Sequence, residues 1–271
     1  MIAKPQKASG VDKIIVRKFL KRNPLLHPEE LKDIFPAYGE FAKIDSRRLL
    51  WAKPDTKKRL AELRGKCKKV IVVVSGVAAG GKDTIRQQFE EAYPGLVIKP
   101  VTATTRKMRP GEKDSRDYHF YESRESFLSA VRKGELVEYV DQYGDFYGLP
   151  KKSVAEAITS SAPIIFAIFE PTGWGPFRRF IAKSYEDNLS LFFFFVLPQL
   201  SYKNYVEKWL PRHRIDYQER AKMAIWRLQV AAKEADVLVI NPIVENEKPG
   251  KQAYEATRDL LLSLLHPTLL K

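Results

Sequence analysis

The chain contains the stretch Val70-Ile-Val-Val-Val-Ser-Gly76-Val-Ala-Ala-Gly-Gly81-Lys82, a β-branched run that leads into a glycine-rich loop. The run favours a buried strand, and a helical pattern from 84 to 92 follows the loop. The loop fits the first seven positions of the phosphate-binding pattern G-x-x-x-x-G-K-[ST], with the flanks that this pattern requires. Its backbone N–H groups can form an anion nest, and Lys82 supplies a mobile cation for phosphate oxygens. The stretch therefore predicts a strand–loop–helix unit that binds a nucleoside triphosphate.

The eighth position of the pattern is Asp83 rather than Ser or Thr, whose hydroxyl would bind Mg²⁺. Two roles are open for Asp83: it holds the metal through water, or it stabilises the helix N-terminus. Thr84 is a second candidate for the hydroxyl role. The alternative to a phosphate site is a tight, glycine-rich turn, which the correctly placed lysine disfavours.

Further along the chain, apolar strand candidates alternate with helical stretches. The strands are predicted at 164–169, 191–197 and 237–240, and the helices near 151–160, 174–183, 199–235 and 251–265. This alternation predicts an α/β fold of three layers, in which helices cover both faces of a parallel sheet. Residues 102–150 do not show this alternation and consist of short aromatic segments that are interrupted by glycines. They predict a small β-rich insertion with one helix at about 123–133.

A second cluster of polar residues lies in this insertion, where Thr102-Ala-Thr-Thr-Arg106-Lys-Met-Arg109 precedes Asp117-Tyr118-His-Phe120. Arginine forks grip phosphate oxygens bidentately, and a phenol can donate a third bond. The pattern predicts a site that holds a second phosphate still. A solvated basic loop is the alternative.

The composition is that of an ordinary globular protein, with 44% hydrophobic and 30% charged residues in a chain of 271. The single Cys67 excludes a disulfide framework and a cysteine-based zinc site. No signal-peptide core is visible, and the longest apolar run, 189–197, is too short to span a bilayer. We therefore expect a cytoplasmic protein without a transmembrane segment.

The positive charge is concentrated in the first 69 residues, which hold 19 Lys or Arg against 8 Asp or Glu. Their net charge is +11, out of +14 for the whole chain. This segment is predicted to be a mainly helical extension. It is either a solvated arm, partly packed on the core through residues such as Leu50 and Trp51, or a contact for a polyanion such as nucleic acid.

From Val70 to Leu265 the sequence resembles the guanylate kinase family of P-loop nucleoside monophosphate kinases. Five blocks carry the resemblance: the phosphate loop, Ala103-Thr-Thr-Arg106…Arg109-Pro-Gly-Glu, Asp117-Tyr-His-Phe120, Gly134-Glu-Leu-Val-Glu138 and Phe146-Tyr-Gly148. The resemblance implies an extension (1–69) and a kinase domain (70–271). That domain has a core (70–101, 151–198 and 236–271), an acceptor-binding part (102–150) and a lid (199–235).

The resemblance also implies roles for individual residues. ATP would be bound by Gly76, Val77, Ala78, Ala79, Gly80, Gly81, Lys82, Asp83, Thr84 and Asn241. The acceptor nucleotide would be bound by Thr102, Arg106, Arg109, Tyr118, Glu138, Tyr147, Leu149 and Glu170. Lys82 and the lid arginines Arg212, Arg214 and Arg227 would offset charge on the transferring phosphoryl group, although each lid arginine could instead lie on a solvated helix face.

The sequence departs from the family pattern at three places. Leu149 replaces a hydroxyl residue that helps to read the base, and Phe169 replaces an acidic residue, with Glu170 just beyond it. Pro242 replaces an Asp that usually follows the Asn at 241. An Asp after the loop lysine, as at Asp83, also resembles a sister branch of the family, the ribose bisphosphate phosphokinases. That branch generally lacks the paired-arginine and Asp-Tyr-His-Phe blocks that are present here.

The resemblance implies a reaction in which ATP, with Mg²⁺, phosphorylates GMP to give ADP and GDP, as part of purine nucleotide metabolism. Glu138 would accept from guanine N1–H and the exocyclic amine, whereas adenine has no N1 proton to offer. Two other functions remain open. One is a catalytically inactive binding module of the same fold, and the other is a protein that associates with nucleic acid through its basic extension.

Overall fold

A computed structural model describes residues 49–142, 144–185, 189–199, 205–214, 216–242 and 250–270. Most of the predicted basic extension, and with it the proposed polyanion contact, lies outside these residues. Among the described helices, none is long and apolar enough to cross a membrane.

A six-stranded sheet forms the centre of the fold. Its strands, in chain order, are β1 (Leu50–Ala52), β2 (Lys69–Gly76), β3 (Val97–Ile98), β8 (Ile164–Ile168), β9 (Leu189–Pro198) and β10 (Val237–Asn241). The spatial order is β1-β10-β9-β2-β8-β3, and all neighbours are parallel except β1 and β10. β9 has both faces covered, because Phe193 and Phe195 pack on one side of the sheet and Phe192 and Phe194 on the other.

Helices cover both faces of this sheet, as predicted. The described helices are α1 (Pro54–Leu63), α2 (Lys82–Ala92), α3 (Arg124–Arg132), α4 (Lys151–Thr159), α5 (Trp174–Ser184), α6 (Leu210–His213), α7 (Tyr217–Glu234) and α8 (Lys251–Leu264). α4, α5 and α7 pack on one face, through residues such as Phe177 and Leu228. α1, α2 and α8 pack on the other, through Phe89 and Leu261. The predicted α/β fold with a covered parallel sheet is confirmed.

A second, smaller sheet lies entirely within residues 102–150. It contains β4 (Thr102–Thr104), β5 (Tyr118–Phe120), β6 (Leu136–Gln142) and β7 (Asp145–Pro150), in the order β5-β4-β7-β6. α3 begins where Ser123 accepts a hydrogen bond from the Ser126 backbone N–H. α3 packs Phe127 against this sheet, where Phe127 stacks on Phe146. The β-rich insertion and its helix therefore occur where the glycine-broken pattern predicts them.

The sequence pattern places the start of the core at residue 70, but the first strand of the central sheet, β1, lies about 20 residues earlier. β1 pairs with β10 in antiparallel register, with Leu50 opposite Val239. α1 follows it, and the Arg59 guanidinium lies 4.2 Å from the centre of the Phe192 ring. The end of the predicted extension is thus part of the central sheet and its covering layer.

Candidate functional site

The phosphate loop runs from the end of β2 to the start of α2, and its glycines are sterically required. A Cβ at Gly76 would lie 2.5 Å from the backbone oxygen of Val196, and one at Gly81 would lie 2.3 Å from Asn241 Nδ2. Gly81 also has φ 95°, and Ala79 has φ 53°, in the left-handed region. The loop therefore alternates in backbone handedness, as in an anion nest.

Three successive carbonyl groups of the loop accept hydrogen bonds from side chains outside it. Tyr205 Oη donates to the oxygen of Ala78 at 2.9 Å, and Trp209 Nε1 donates to that of Ala79 at 3.0 Å. Asn241 Nδ2 donates to that of Gly80 at 2.9 Å. Because N–H and C=O point in opposite directions across a planar trans peptide, these bonds also orient the N–H group that follows each carbonyl. Asn241 is buried and holds the loop through this bond, and its expected place beside adenine stays a prediction.

A cavity joins the start of α2 to the small sheet and the end of β8. Its lining is rich in charged and aromatic groups: Lys82, Asp83, Thr102, Arg106, Arg109, Tyr118, Glu138, Val140, Gln142, Tyr147, Gly148, Ile168, Phe169, Glu170, Arg214 and Arg220. Ten of the residues expected from the sequence lie here together, although they come from separate blocks of the chain.

One part of the cavity carries the arginines and phenols expected to hold a phosphate. The Arg106 guanidinium lies 5.3 Å from the centre of the Tyr118 ring, and the rings of Tyr118 and Tyr147 are 6.4 Å apart. Glu112 accepts both hydrogen bonds of a bidentate pair with Arg106, at 2.8 and 3.0 Å. Burial raises the pKa of Tyr118, so its phenol stays protonated and can donate a hydrogen bond.

Glu138 lies in another part of the cavity and is buried. Burial, assisted by the negative charge of Glu170, raises the pKa of Glu138 to about 8. A Cβ at Gly173 would lie 2.8 Å from Glu138 Oε2, so the carboxyl group fits only because residue 173 is glycine. Glu170 itself accepts two hydrogen bonds from Arg227, at 2.7 and 2.8 Å.

Lys82 lies beside the cationic groups of α7 and of the segment before it. Burial lowers the pKa of its ammonium group, while the neighbouring Asp83 carboxylate opposes that shift. The charges of Arg227 and Arg214 act on Lys82 in the same direction as burial. Lys82, Arg214 and Arg227 therefore form a group of positive charges beside the phosphate loop, and such a group can stabilise negative charge that develops on a ligand.

Several of the expected site residues lie outside the lining of this cavity. Leu149 does not line the cavity: it is fully buried in the central core, beside residues of α4 such as Val154. Arg212 is exposed and absent from the lining. Thr84, one residue beyond Asp83 on α2, is half-buried and is also absent from the lining. Arg227 is buried, and its charge is offset by Glu170, so it lies on no solvated helix face.

Three further residues line the cavity that the sequence expectations did not include: Arg220, Val140 and Gln142. Spacing could have revealed them. Arg220 precedes Arg227 by two helical turns, which puts both on one face of α7. Val140 and Gln142 lie two and four residues after Glu138, on the same face of β6.

The side chains beside the loop include one carboxylate that could bind Mg²⁺, that of Asp83. Among the described residues, no group of three or more His, Cys, Asp or Glu side chains could hold a metal ion. Mg²⁺ in nucleotide sites is commonly held by one or two carboxylates together with phosphates and water. Asp83 lines the cavity next to Lys82, so the residues present fit a metal that is shared with a bound nucleotide.

The sequence is similar to those of known guanylate kinases. The family model for guanylate kinase matches residues 68–170. A guanylate kinase of Carboxydothermus hydrogenoformans is 33% identical over 184 residues, which cover 66% of this chain and 83% of the relative. One of Gloeobacter violaceus is 40% identical over 98 residues, or 36% of this chain and 47% of that protein.

The crystal structure of guanylate kinase from Anaplasma phagocytophilum aligns with a TM-score of 0.48 and 23% identity, over 74% of this chain and 88% of that chain. The extent and identity of the match to the Carboxydothermus protein decide the assignment. The chain belongs to the guanylate kinase family.

Proposed function

We propose that this protein transfers the γ-phosphoryl group of ATP to GMP, forming ADP and GDP. The observation that carries the proposal is the single cavity that connects Lys82 of the phosphate loop with the arginine–tyrosine group and the buried Glu138. A phosphoryl donor and a nucleotide acceptor would both find complementary groups there, with their phosphates facing each other.

The donor end is the phosphate loop. Its N–H groups and the start of α2 would hold the β- and γ-phosphates of ATP, and Lys82 would follow the γ-phosphoryl group as charge develops. Mg²⁺, with Asp83 as its protein ligand, would supply further positive charge to the phosphates. Arg214 and Arg220 would add to this from the predicted lid.

The acceptor end of the cavity would hold GMP at both ends of the nucleotide, by its phosphate and by its base. Arg106, Arg109, Tyr118 and Tyr147 would bind the phosphate, and Glu138 would accept from the guanine N1–H and amine. The GMP phosphate is largely a dianion at neutral pH, with a second pKa of about 6, so it can attack the γ-phosphorus without a general base. The protein would therefore act mainly through positioning and electrostatic stabilisation.

Acceptor binding and closure of the site would be carried out by separate parts of the fold. Residues 102–150 form the acceptor-binding part, and residues 199–235 form a lid whose closure would exclude water and suppress ATP hydrolysis. A binding module without catalysis would not require a charged lysine inside a triphosphate nest. This comparison favours the enzyme over the inactive module.

The proposal is tested by measuring ADP formation from ATP and Mg²⁺ with and without GMP. We expect formation that depends on GMP and is much weaker with AMP. Lys82→Ala should lower turnover about 100-fold or more, since it removes a cation that acts on the transition state. Lys183→Ala, an exposed residue of α5, is the matched control and should match the parent. GMP-independent ADP formation, or full turnover by Lys82→Ala, would refute the proposal.

A further inference from the structure

Gln142 is a cavity residue that neither the fold nor the proposed chemistry has so far explained. It is the last residue of β6, and it lines the cavity with Lys82 and Glu138. Its Nε2 is buried and has no hydrogen-bond partner among the described residues. Buried polar groups are nearly always paired, so an unpaired donor in a cavity indicates a ligand atom that accepts its hydrogen bond.

The geometry of β6 gives the distance between Gln142 and the base-reading carboxylate. Glu138 and Gln142 are four residues apart on one face of an extended strand, or about 13 Å along it. A nucleotide that places its base against Glu138 would therefore extend its other end toward Gln142.

Strand pairing shows which end of the cavity Gln142 occupies. Val140, between Glu138 and Gln142, lies opposite Tyr147 on β7, and Tyr147 lies opposite Thr104 on β4. The loop that follows β4 carries Arg106 and Arg109. Gln142 thus continues the strand beyond Tyr147, away from Glu138.

We propose that Gln142 Nε2 donates a hydrogen bond to a non-bridging oxygen of the acceptor phosphate, and this inference rests on the proposed function. A phosphate dianion offers only acceptors, which suits an unpaired amide donor. The Arg106 guanidinium is already engaged by Glu112, whereas no carboxylate in the described part of the chain accepts from Gln142 Nε2. A neutral donor therefore adds a directional bond to the phosphate.

The test compares the binding of GMP and of guanosine, measured by calorimetry without ATP, to the parent protein and to Gln142→Met. This substitution removes the donor and nearly keeps the side-chain shape. We expect the dissociation constant for GMP to rise about tenfold, the loss expected for a hydrogen bond to a charged group, while that for guanosine stays unchanged. Gln142→Glu, which places a charged acceptor there, should weaken GMP more. Gln87→Met, an exposed residue of α2, is the matched control.

The outcomes separate the inference from the function on which it rests. Equal GMP affinity in the parent and both Gln142 variants, beside GMP-dependent turnover, would overturn the role of Gln142 alone. Equal losses for GMP and guanosine in Gln142→Met would place the contact on the base or ribose, and would overturn the phosphate assignment. If the parent bound no GMP, the proposed function itself would fail. Unfolding curves of the variants show whether any loss reflects the fold instead.

Discussion

Glu138 combines two properties that oppose each other in the free protein. Its carboxyl group is buried between the small sheet and the turn at Gly173, and its pKa is raised to about 8. The same burial that would sharpen recognition of guanine therefore makes the ionised form costly before the ligand arrives. In the free protein the carboxyl group is therefore largely protonated at neutral pH, and a guanine that offers two donors would favour its ionised form.

We expect this burial to appear in the pH dependence of stability. Between the ordinary value of 4.5 and about 8, the unfolded chain has released a proton that folded Glu138 still holds. The unfolded state then binds fewer protons, so the free energy of unfolding must fall as pH rises through that window. Glu138→Gln should remove this slope, and its stability relative to the parent should increase up to about pH 8. Urea unfolding at several pH values measures the difference.

Glu135→Gln is the control for this experiment, because Glu135 is exposed on the loop before β6. Its pH profile should overlay that of the parent. A Glu138→Gln profile that kept the parental slope would show that the carboxyl group is not the source of the effect.

At the scale of elements, the phosphate loop depends on structure that is distant in the sequence. Tyr205 and Trp209 belong to the π-helical turn Tyr205–Trp209 that leads into α6, whereas Asn241 ends β10. All three bind loop carbonyls, so the nest is shaped by side chains as well as by its glycines. The predicted lid is thereby attached to the element that would hold ATP.

Trp209→Phe tests this attachment by removing the donor to the oxygen of Ala79 while keeping an aromatic ring near His213. We expect the KM for ATP to rise about fivefold, the effect of roughly 1 kcal/mol from one hydrogen bond, with the KM for GMP unchanged. Steady-state kinetics with each substrate varied in turn give both constants. Trp226→Phe, an indole of α7 with no described hydrogen bond to the loop, should change neither. An equal rise in both constants would indicate a general loss of structure.

These contacts also show where prediction from sequence ended. The strand–loop–helix unit could be predicted because its signal is local: β-branched residues, glycines and a lysine at a fixed offset. Tyr205 and Trp209 gave no such signal, since their bonds depend on how the lid segment crosses the loop. β1 could not be predicted for a different reason. Three residues are too few to show the alternation of a strand, and its partner β10 lies far along the chain.

At the scale of the whole molecule, α1 joins the segment before residue 70 to the central sheet. Arg59 donates to the backbone oxygen of Leu191 and lies over the ring of Phe192. Thr56 donates to Asp236, which in turn accepts from the backbone N–H of Phe193. The kinase core and the end of the predicted extension therefore share one packed layer.

We expect Arg59→Met to lower the free energy of unfolding by about 1–2 kcal/mol, through the loss of one cation–π contact and one hydrogen bond. Turnover of the remaining folded protein should not change, because Arg59 is absent from the cavity lining. Arg64→Met, an exposed residue just after α1, should have little effect on either quantity. Urea unfolding gives the free energies, and equal effects of the two substitutions would mean that α1 does not brace the sheet.

The strand order has a consequence for how the chain acquires this structure. Val70 of β2 has neighbours at Ile164 on β8 and at Ser190 on β9, so the central strand is synthesised long before either partner exists. Pairings between such distant segments form slowly, because closing a long loop costs conformational entropy before any contact between the strands stabilises the structure. Until then the valines of β2, and later the phenylalanines of β9, are exposed and can associate with apolar segments of other chains. The same central position that buries the phosphate-loop strand so completely thus makes the nascent chain most prone to aggregation.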